Sequence, residues 1–261
     1  MFSVVLVTYN RDKQLFNALK SIENQSYLPK EIILINNGVK KYKKSDFQLT
    51  RLFKKKILIK NNKKNLFQSA ARNQGSYAAK EKFLCFLDDD DTWEKNYLKK
   101  IKVKIKKDNC DLIISPIYIK KKIFKKAKNL SLDQLFLRNP GVTGSNLVIS
   151  KSKFLKLKGF DKNMKSSEDK DIVVKAILNN LKISYSNSKV FFSSHENPRL
   201  TTNFVKLANG KESFYKKYSC LMNFKQRINN LYKINLYKIK SGQFSKIFIL
   251  ANLFFLNKFF N

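Results

Sequence analysis

Five apolar residues, Phe83 to Leu87, run straight into four consecutive carboxylates, Asp88 to Asp91. An apolar run that short, bounded by polar residues, reads as a strand buried on both faces. Such strands belong to parallel sheets covered by helices on each side, where ligands gather outside the carboxyl ends. The acidic block is also anomalous in charge, because the chain has 19 acidic residues against 54 Lys plus Arg, a formal net charge of +35. Concentrated negative charge in so basic a chain calls for a cationic partner.

If strand geometry continues past Leu87, Asp88 and Asp90 face the same side, since side chains alternate along a strand. Two carboxylates at a strand end suit a hard divalent cation, Mn²⁺ or Mg²⁺, whose remaining positions phosphate oxygens fill. The competing reading is a solvated turn in which Asp91 or Thr92 caps a helix starting at Trp93-Glu94-Lys95. Local sequence leaves both open.

At 261 residues, 43% of them hydrophobic, the chain can bury one substantial core with a modest appendage. Val4-Val5-Leu6-Val7 is too short for the apolar region of a signal peptide, and no stretch is apolar enough to span a bilayer. Cys85, Cys110 and Cys220 have no metal-ligand spacing, which favours reduced thiols and a cytoplasmic setting. The lysines are spread along the chain, with basic runs in loop-like stretches such as Lys54 to Lys56 and Lys120 to Lys122. Nucleic-acid binding therefore rests on charge alone. A membrane surface carrying anionic lipid is the better candidate partner, because distributed lysines are attracted to it cumulatively.

Strands and helices alternate. Ser3 to Thr8 is an apolar strand, and Arg11 to Gln25 places Leu15, Ala18, Leu19 and Ile22 at helical spacing. Glu31 to Ile35 is a second strand stopped by Asn36-Asn37-Gly38, a turn signal. Lys56 to Lys60 follows as a third strand, then a helix over Leu66 to Lys80 and the strand Phe83 to Leu87. Repeated units of this kind predict an α/β fold with a mostly parallel sheet flanked by helices. Its carboxyl edge gathers Thr8 to Arg11, Asn36-Asn37 and Asp88 to Asp91.

Val4 to Arg11, Ala71-Arg72-Asn73-Gln74-Gly75, Phe86 to Trp93 and Ser167-Glu168-Asp169-Lys170-Asp171 together resemble the ordered motifs of family 2 glycosyltransferases with the GT-A fold. The resemblance covers about residues 1 to 200. It implies that Thr8, Tyr9, Asn10 and Arg11, then Asn36 and Asn37, hold the base and ribose of a nucleotide sugar. Two amides stand at 36 and 37 where the family usually carries acids. An amide both donates and accepts, so pyrimidine recognition survives; the resemblance favours UDP, and the amides leave dTDP open. Asn36-Asn37-Gly38 also reads simply as a tight turn. The resemblance places Arg72, Asn73, Asp88 and Asp89 at the nucleotide and diphosphate, and makes Asp90 and Asp88 the ligands of Mn²⁺ or Mg²⁺. Arg72 offers a planar fork of donors suited to phosphate, or else is an ordinary helix residue. In an inverting transfer a carboxylate deprotonates the acceptor hydroxyl, and Asp169, then Glu168, are the candidates. Residue by residue, Ser166 or Ser167 caps a helix whose buried stripe is Ile172, Val173, Ala176 and Ile177. Gly141 to Asn146 resembles the loop facing donor sugar and acceptor.

His195, the single histidine, resembles one that approaches the metal or diphosphate in relatives, with Arg199 a phosphate contact in the same loop. The expected division is a GT-A catalytic domain over 1–203 and a helical C-terminal extension over 204–261. Phe244 to Phe260 reads as an interfacial helix, a packing helix or an oligomer contact. The resemblance implies a metal-dependent, inverting hexosyltransferase at the cytoplasmic face of a bacterial inner membrane. It would build lipooligosaccharide, capsule or another lipid-linked glycan on a saccharide acceptor. The alternatives are a nucleic-acid-binding protein and a sugar-nucleotide pyrophosphorylase. The latter wants a Gly-rich loop where Thr8-Tyr9-Asn10-Arg11 stands. Oligomeric state is not legible.

Overall fold

The computed structural model describes residues 1–193 and 203–242. They form two compact units, one of 1–162 with 169–193, the other of 163–168 with 203–242.

The first unit opens with β1 (Phe2–Thr8), α1 (Asp12–Glu23), β2 (Glu31–Asn36), α2 (Arg51–Lys55), β3 (Ile57–Asn61), α3 (Phe67–Ala78) and β4 (Phe83–Asp88). It continues with β5 (Asp91–Trp93), α4 (Tyr97–Asp108), β6 (Leu112–Ile114), β7 (Ile117–Ile119), β8 (Lys122–Lys125) and α5 (Leu132–Leu137). Then come β9 (Leu147–Ser150), α6 (Lys151–Lys156), α7 (Glu168–Leu178), β10 (Ile183–Tyr185) and β11 (Val190–Phe192).

Seven strands form the main sheet in the order β10-β6-β9-β4-β1-β2-β3. All neighbours pair parallel except β9, which lies antiparallel between β4 and β6. Ile32–Asn36 of β2 and Phe83–Leu87 of β4 are buried because helices cover them, and α1 does so with the expected stripe of Leu15, Ala18, Leu19 and Ile22. In α3 the buried face is instead small and polar, comprising Ser69, Ala71, Arg72, Asn73, Gly75 and Ser76. Gly75 permits this, since a Cβ there would stand 2.5 Å from Val5 Cγ1 of β1.

The strand order turns at β1, with β2 on one side and β4 on the other, so the chain reverses between β1 and β4. Register brings the carboxyl ends together there, with Val7 opposite Asp88 and Thr8 opposite Asn36. This is where a crevice opens in an α/β sheet.

Strand geometry stops at Asp88. Asp89 and Asp90 form a turn and Asp91 begins β5, which leaves the main sheet and pairs antiparallel with β11 in a second sheet ordered β5-β11-β7-β8. Of the local readings of the acidic block, the turn is present at Asp89-Asp90, whereas the continued strand and the helix cap are not. The alternation linking Asp88 to Asp90 is broken, and α4 begins only at Tyr97, after Asn96.

The second unit contains α8 (Phe204–Tyr218) and α9 (Phe224–Lys240). The expected helical extension is thus two helices, with a break at 219–223. Residues 163–168 cluster with these helices rather than with the sheet. Gly210 of α8 explains the closeness, as a Cβ there would lie 2.0 Å from Ser166 Oγ. No helix among the described residues is long and apolar enough to cross a membrane. Phe244 to Phe260 lies outside them.

Candidate active site

Asp89 fastens the end of β1 to the acidic turn. Its Oδ2 accepts from Thr8 Oγ1 at 2.7 Å and from the Tyr9 backbone N–H at 3.3 Å. Arg11 Nη1 donates to Asp89 Oδ1 at 3.1 Å and to Asp90 Oδ2 at 2.9 Å. Burial pushes the Asp89 carboxyl up to about 6, against the downward pull of the Thr8 hydroxyl and the Arg11 charge. Burial tends to lower the Arg11 pKa, but the paired carboxylates outweigh it and the net shift is upward.

On the other side of the turn, Asp88 Oδ1 accepts from Arg72 Nη2 at 2.6 Å and from Gln68 Nε2 at 2.9 Å. Gln68 and Arg72 are one turn apart on α3, hence on one face. Arg72 is buried, and its guanidinium lies 5.4 Å from the centre of the Phe160 ring, within cation–π range. Phe160 is held in turn by Phe86 at 5.0 Å and Phe154 at 5.3 Å. The backbone of Gly144 also lies against Arg72, since a Cβ there would fall 2.2 Å from Nη2.

The loop carrying Gly144 also reaches the turn through Ser145. Its hydroxyl donates to Asp91 Oδ2 at 2.6 Å and accepts from the Asp88 backbone N–H at 3.0 Å. Its carbonyl accepts from Trp93 Nε1 at 3.0 Å. Gly141 to Asn146, expected to face the donor sugar, is thus tied directly to the acidic block. Gln68 and Ser145 had no individual roles in the sequence reading, and Asp91 had only that of a candidate helix cap. Helical spacing from Arg72 points to Gln68, whereas the Ser145–Asp91 bond spans 54 residues and leaves no local signal.

Other predicted residues engage elsewhere. The Asn36 amide donates to Lys40 O at 2.6 Å and Asn61 Oδ1 at 2.8 Å, while its oxygen accepts from Gly38 N–H at 2.8 Å. Asn37 accepts from Asn62 Nδ2 at 2.8 Å. The tight-turn reading describes these contacts. Asn10 has left-handed backbone (φ 53°) and accepts from Val39 N–H at 3.0 Å. Gly38 is required beside it, for a Cβ would meet Asn10 Oδ1 at 2.4 Å. The Tyr9 ring is half exposed at this edge. Asn73 turns away from the turn, its amide donating to Phe160 O at 2.8 Å and its oxygen accepting from Phe160 N–H at 2.9 Å.

Glu168 opens α7 and is buried; Asp169 follows, half-buried, with Oδ1 accepting from the Lys170 N–H at 3.1 Å. Ser167 enters the helix with φ 70°, unlike the extended backbone usual at an N-cap. Of the expected stripe, Ile172, Val173 and Ala176 are buried and Ile177 is half-buried. His195 and Arg199 lie outside the described residues.

No group of three or more His, Cys, Asp or Glu side chains gathers as a metal cage among the described residues. A hard cation that keeps phosphate oxygens in its shell needs only one or two carboxylates. Asp88 and Asp90 supply that number, and the arginines already drawn to them mark the turn as attractive to cations.

A family model for glycosyl transferase family 2 matches residues 3–159, more than half of the chain and the whole of the acidic site. The chain belongs to glycosyl transferase family 2. This family 2 chain is 27% identical over 201 residues to an uncharacterized glycosyltransferase of Methanocaldococcus jannaschii, covering 70% of this chain and 66% of that protein. It is 29% identical over 98 residues to the putative colanic acid biosynthesis glycosyl transferase WcaA of Escherichia coli, covering 38% and 35%. The chain thus matches less than two thirds of either relative's length. Among solved structures it resembles S. aureus TarS 1–349 in complex with UDP-GlcNAc, with a TM-score of 0.58, 17% identity, and coverage of 90% of this chain and 81% of that one. The fold is GT-A. Glu168, Asp169 and the C-terminal helices lie beyond the family match.

Proposed function

We propose that this family 2 chain is an inverting hexosyltransferase that moves sugar from a UDP-sugar to a hydroxyl of a saccharide or lipid-linked glycan acceptor in bacterial surface-polysaccharide synthesis. The reading is carried by the turn at the carboxyl edge of the sheet, where Asp88 to Asp91 meet Arg11 and Arg72. The likeness to a UDP-GlcNAc complex favours uridine over thymidine in the donor. The half-exposed Tyr9 ring offers a stacking face to the base. Arg11 and Arg72 provide cationic donors for diphosphate oxygens. Asp88 and Asp90 would hold Mn²⁺ or Mg²⁺, which when bound offsets charge gathering on the departing diphosphate.

In the transfer the acceptor oxygen bonds to the anomeric carbon from the face opposite the nucleotide, the bond to the β-phosphate oxygen breaks, and configuration inverts. The acceptor proton passes to a carboxylate, assigned here to Asp169 with Glu168 second. The test is thermal unfolding of the purified protein with UDP, dTDP, GDP and CDP, each with and without Mn²⁺, beside Asp90→Asn. A UDP-specific, metal-dependent rise in Tm that the variant loses is expected. No response to any nucleotide would remove the reading.

A further inference from the structure

The strands β7 and β8 form a hairpin with Ile119 opposite Lys122, joined by Lys120 and Lys121. Both joining residues have positive φ, 46° and 65°. Two-residue turns of this kind are ordinarily made by Asn and Gly, because a Cβ crowds the carbonyl oxygen in left-handed backbone, which Gly avoids and the short Asn amide offsets by local hydrogen bonding. Lysine at both positions accepts that strain and puts two cations at the tip. Lys122, Lys125, Lys126 and Lys128 follow, and no carboxylate occurs between Asp111 and Asp133.

β8 is the edge of its sheet, and both its faces are open. Ile123 is 57% exposed and its neighbour Phe124 53%, and Phe124 falls at a register shift, between Ile123 opposite Tyr118 and Lys125 opposite Ile117. Lysines along an edge strand guard it against pairing with another chain, which accounts for the charge but not for the apolar pair. An anionic lipid surface answers both features, its phosphates meeting the lysines and its headgroup–acyl boundary taking the adjacent apolar pair.

We propose that the β7–β8 hairpin docks on an anionic lipid bilayer, with Ile123 and Phe124 entering the boundary between headgroups and acyl chains and the tip lysines meeting lipid phosphates. Lysine stems lie along apolar surface while their ammonium groups reach outward, and each adds attraction to an anionic leaflet. The base of the hairpin leans on the loop that carries Ser145, since a Cβ on Gly141 would stand 2.9 Å from Lys125 Cβ. Docking would therefore seat the loop beside the acidic turn at the lipid surface. The docking does not depend on the transfer reading.

The experiment is vesicle co-sedimentation of the full chain without nucleotide, using phosphatidylcholine with and without phosphatidylglycerol. Binding to the anionic vesicles alone is expected, falling about tenfold in Ile123→Ser/Phe124→Ser, which keeps every charge. Lys120→Ala/Lys121→Ala/Lys122→Ala should weaken binding more than Lys54→Ala/Lys55→Ala/Lys56→Ala, a matched loss of charge elsewhere. Phe124→Trp adds a reporter to a chain whose single Trp93 is buried, and its emission should shift blue and be quenched by brominated lipid. Equal binding by the Ser double variant, or equal loss in the two lysine triples, would reduce the effect to net charge and overturn the proposal. So would a blue shift of Phe124→Trp with protein concentration and no vesicles, which would make a second copy of the chain the occupant.

Discussion

Arg72 and Asp88 form a 2.6 Å ion pair in which the arginine is almost wholly buried and the aspartate remains partly open to solvent. The arginine's position is fixed further by contact with the Phe160 ring and with the Gly144 backbone. Its buried charge is tolerable because Asp88 answers it at hydrogen-bond distance. Gly144→Ala tests this arrangement, since the added methyl must displace the guanidinium. The expected result is a folded protein destabilised by about 1–3 kcal/mol, with kcat/KM lowered at least about tenfold. Arg72→Lys should not restore transfer, because a lysine has no planar fork to serve Asp88 and a phosphate together. Steady-state kinetics beside chemical denaturation separates the two effects.

The adjacent carboxylates Asp89 and Asp90 should behave oppositely. Asp89 is buried and joins the Thr8 hydroxyl, the Tyr9 N–H and Arg11, so Asp89→Ala removes the acceptor of the first two, leaves Arg11 with Asp90 alone, and should cost about 2–4 kcal/mol. Asp90 is more exposed and shares Arg11, so Asp90→Asn should cost less than about 1 kcal/mol while abolishing the metal-dependent response to nucleotide. Urea denaturation of both variants, with Tm measured against UDP and Mn²⁺, checks the contrast. Equal destabilisation would show that both carboxylates are structural.

Much of this fold could be read because its central strands are fully apolar and α1 keeps a strict stripe. Those signals are local. The antiparallel β9 was not read, because Leu147-Val148-Ile149 says nothing of direction, which pairing with Cys85 and Ile113 decides. The acidic block was misread at its end for a similar reason. Asp91 to Trp93 is a strand only because β11, about a hundred residues later, lies alongside. The motif resemblance pointed to the carboxyl edge of the sheet and to the acidic turn there. It could not say which polar residues point into the crevice and which bind backbone, as the Asn73–Phe160 contact across 87 residues illustrates.

Asn73 shows how resemblance and geometry part. Assigned from sequence to the nucleotide, it instead clamps the backbone of Phe160 with one donated and one accepted bond, both buried. Asn73→Ala leaves a buried N–H and a buried C=O without partners and should cost about 2–4 kcal/mol. Because Phe160 supports Arg72, catalysis should also fall. The affinity for UDP, measured by calorimetry on the folded fraction, should change less than about threefold. A large loss of UDP affinity at unchanged stability would restore Asn73 to the nucleotide site.

In the helical unit, Lys211 of α8 is a cation held against its preference. Burial, aided by the nearby Lys233 charge, pulls its pKa down to about 8, although its ammonium lies 5.6 Å from the centre of the Tyr237 ring, a contact that favours the charged form. The unfolded chain holds this proton up to an ordinary lysine pKa near 10.4, so between about pH 8 and 10.4 it binds more protons than the folded one. Stability therefore gains from this residue as pH rises through that window, and the full cost of the buried charge is present below pH 8. Lys211→Met, which keeps the stem and removes the charge, should raise stability at pH 7 by about 1–2 kcal/mol after allowance for solvent screening. The advantage over the parent should shrink toward pH 10, where the parent lysine is largely neutral. Paired urea titrations of parent and variant at intervals from pH 7 to about pH 10 measure that difference directly, and other titrating lysines cancel between the two chains. A difference that stays constant across the window would mean that the gain comes from packing of the methionine and that Lys211 keeps its ordinary charge.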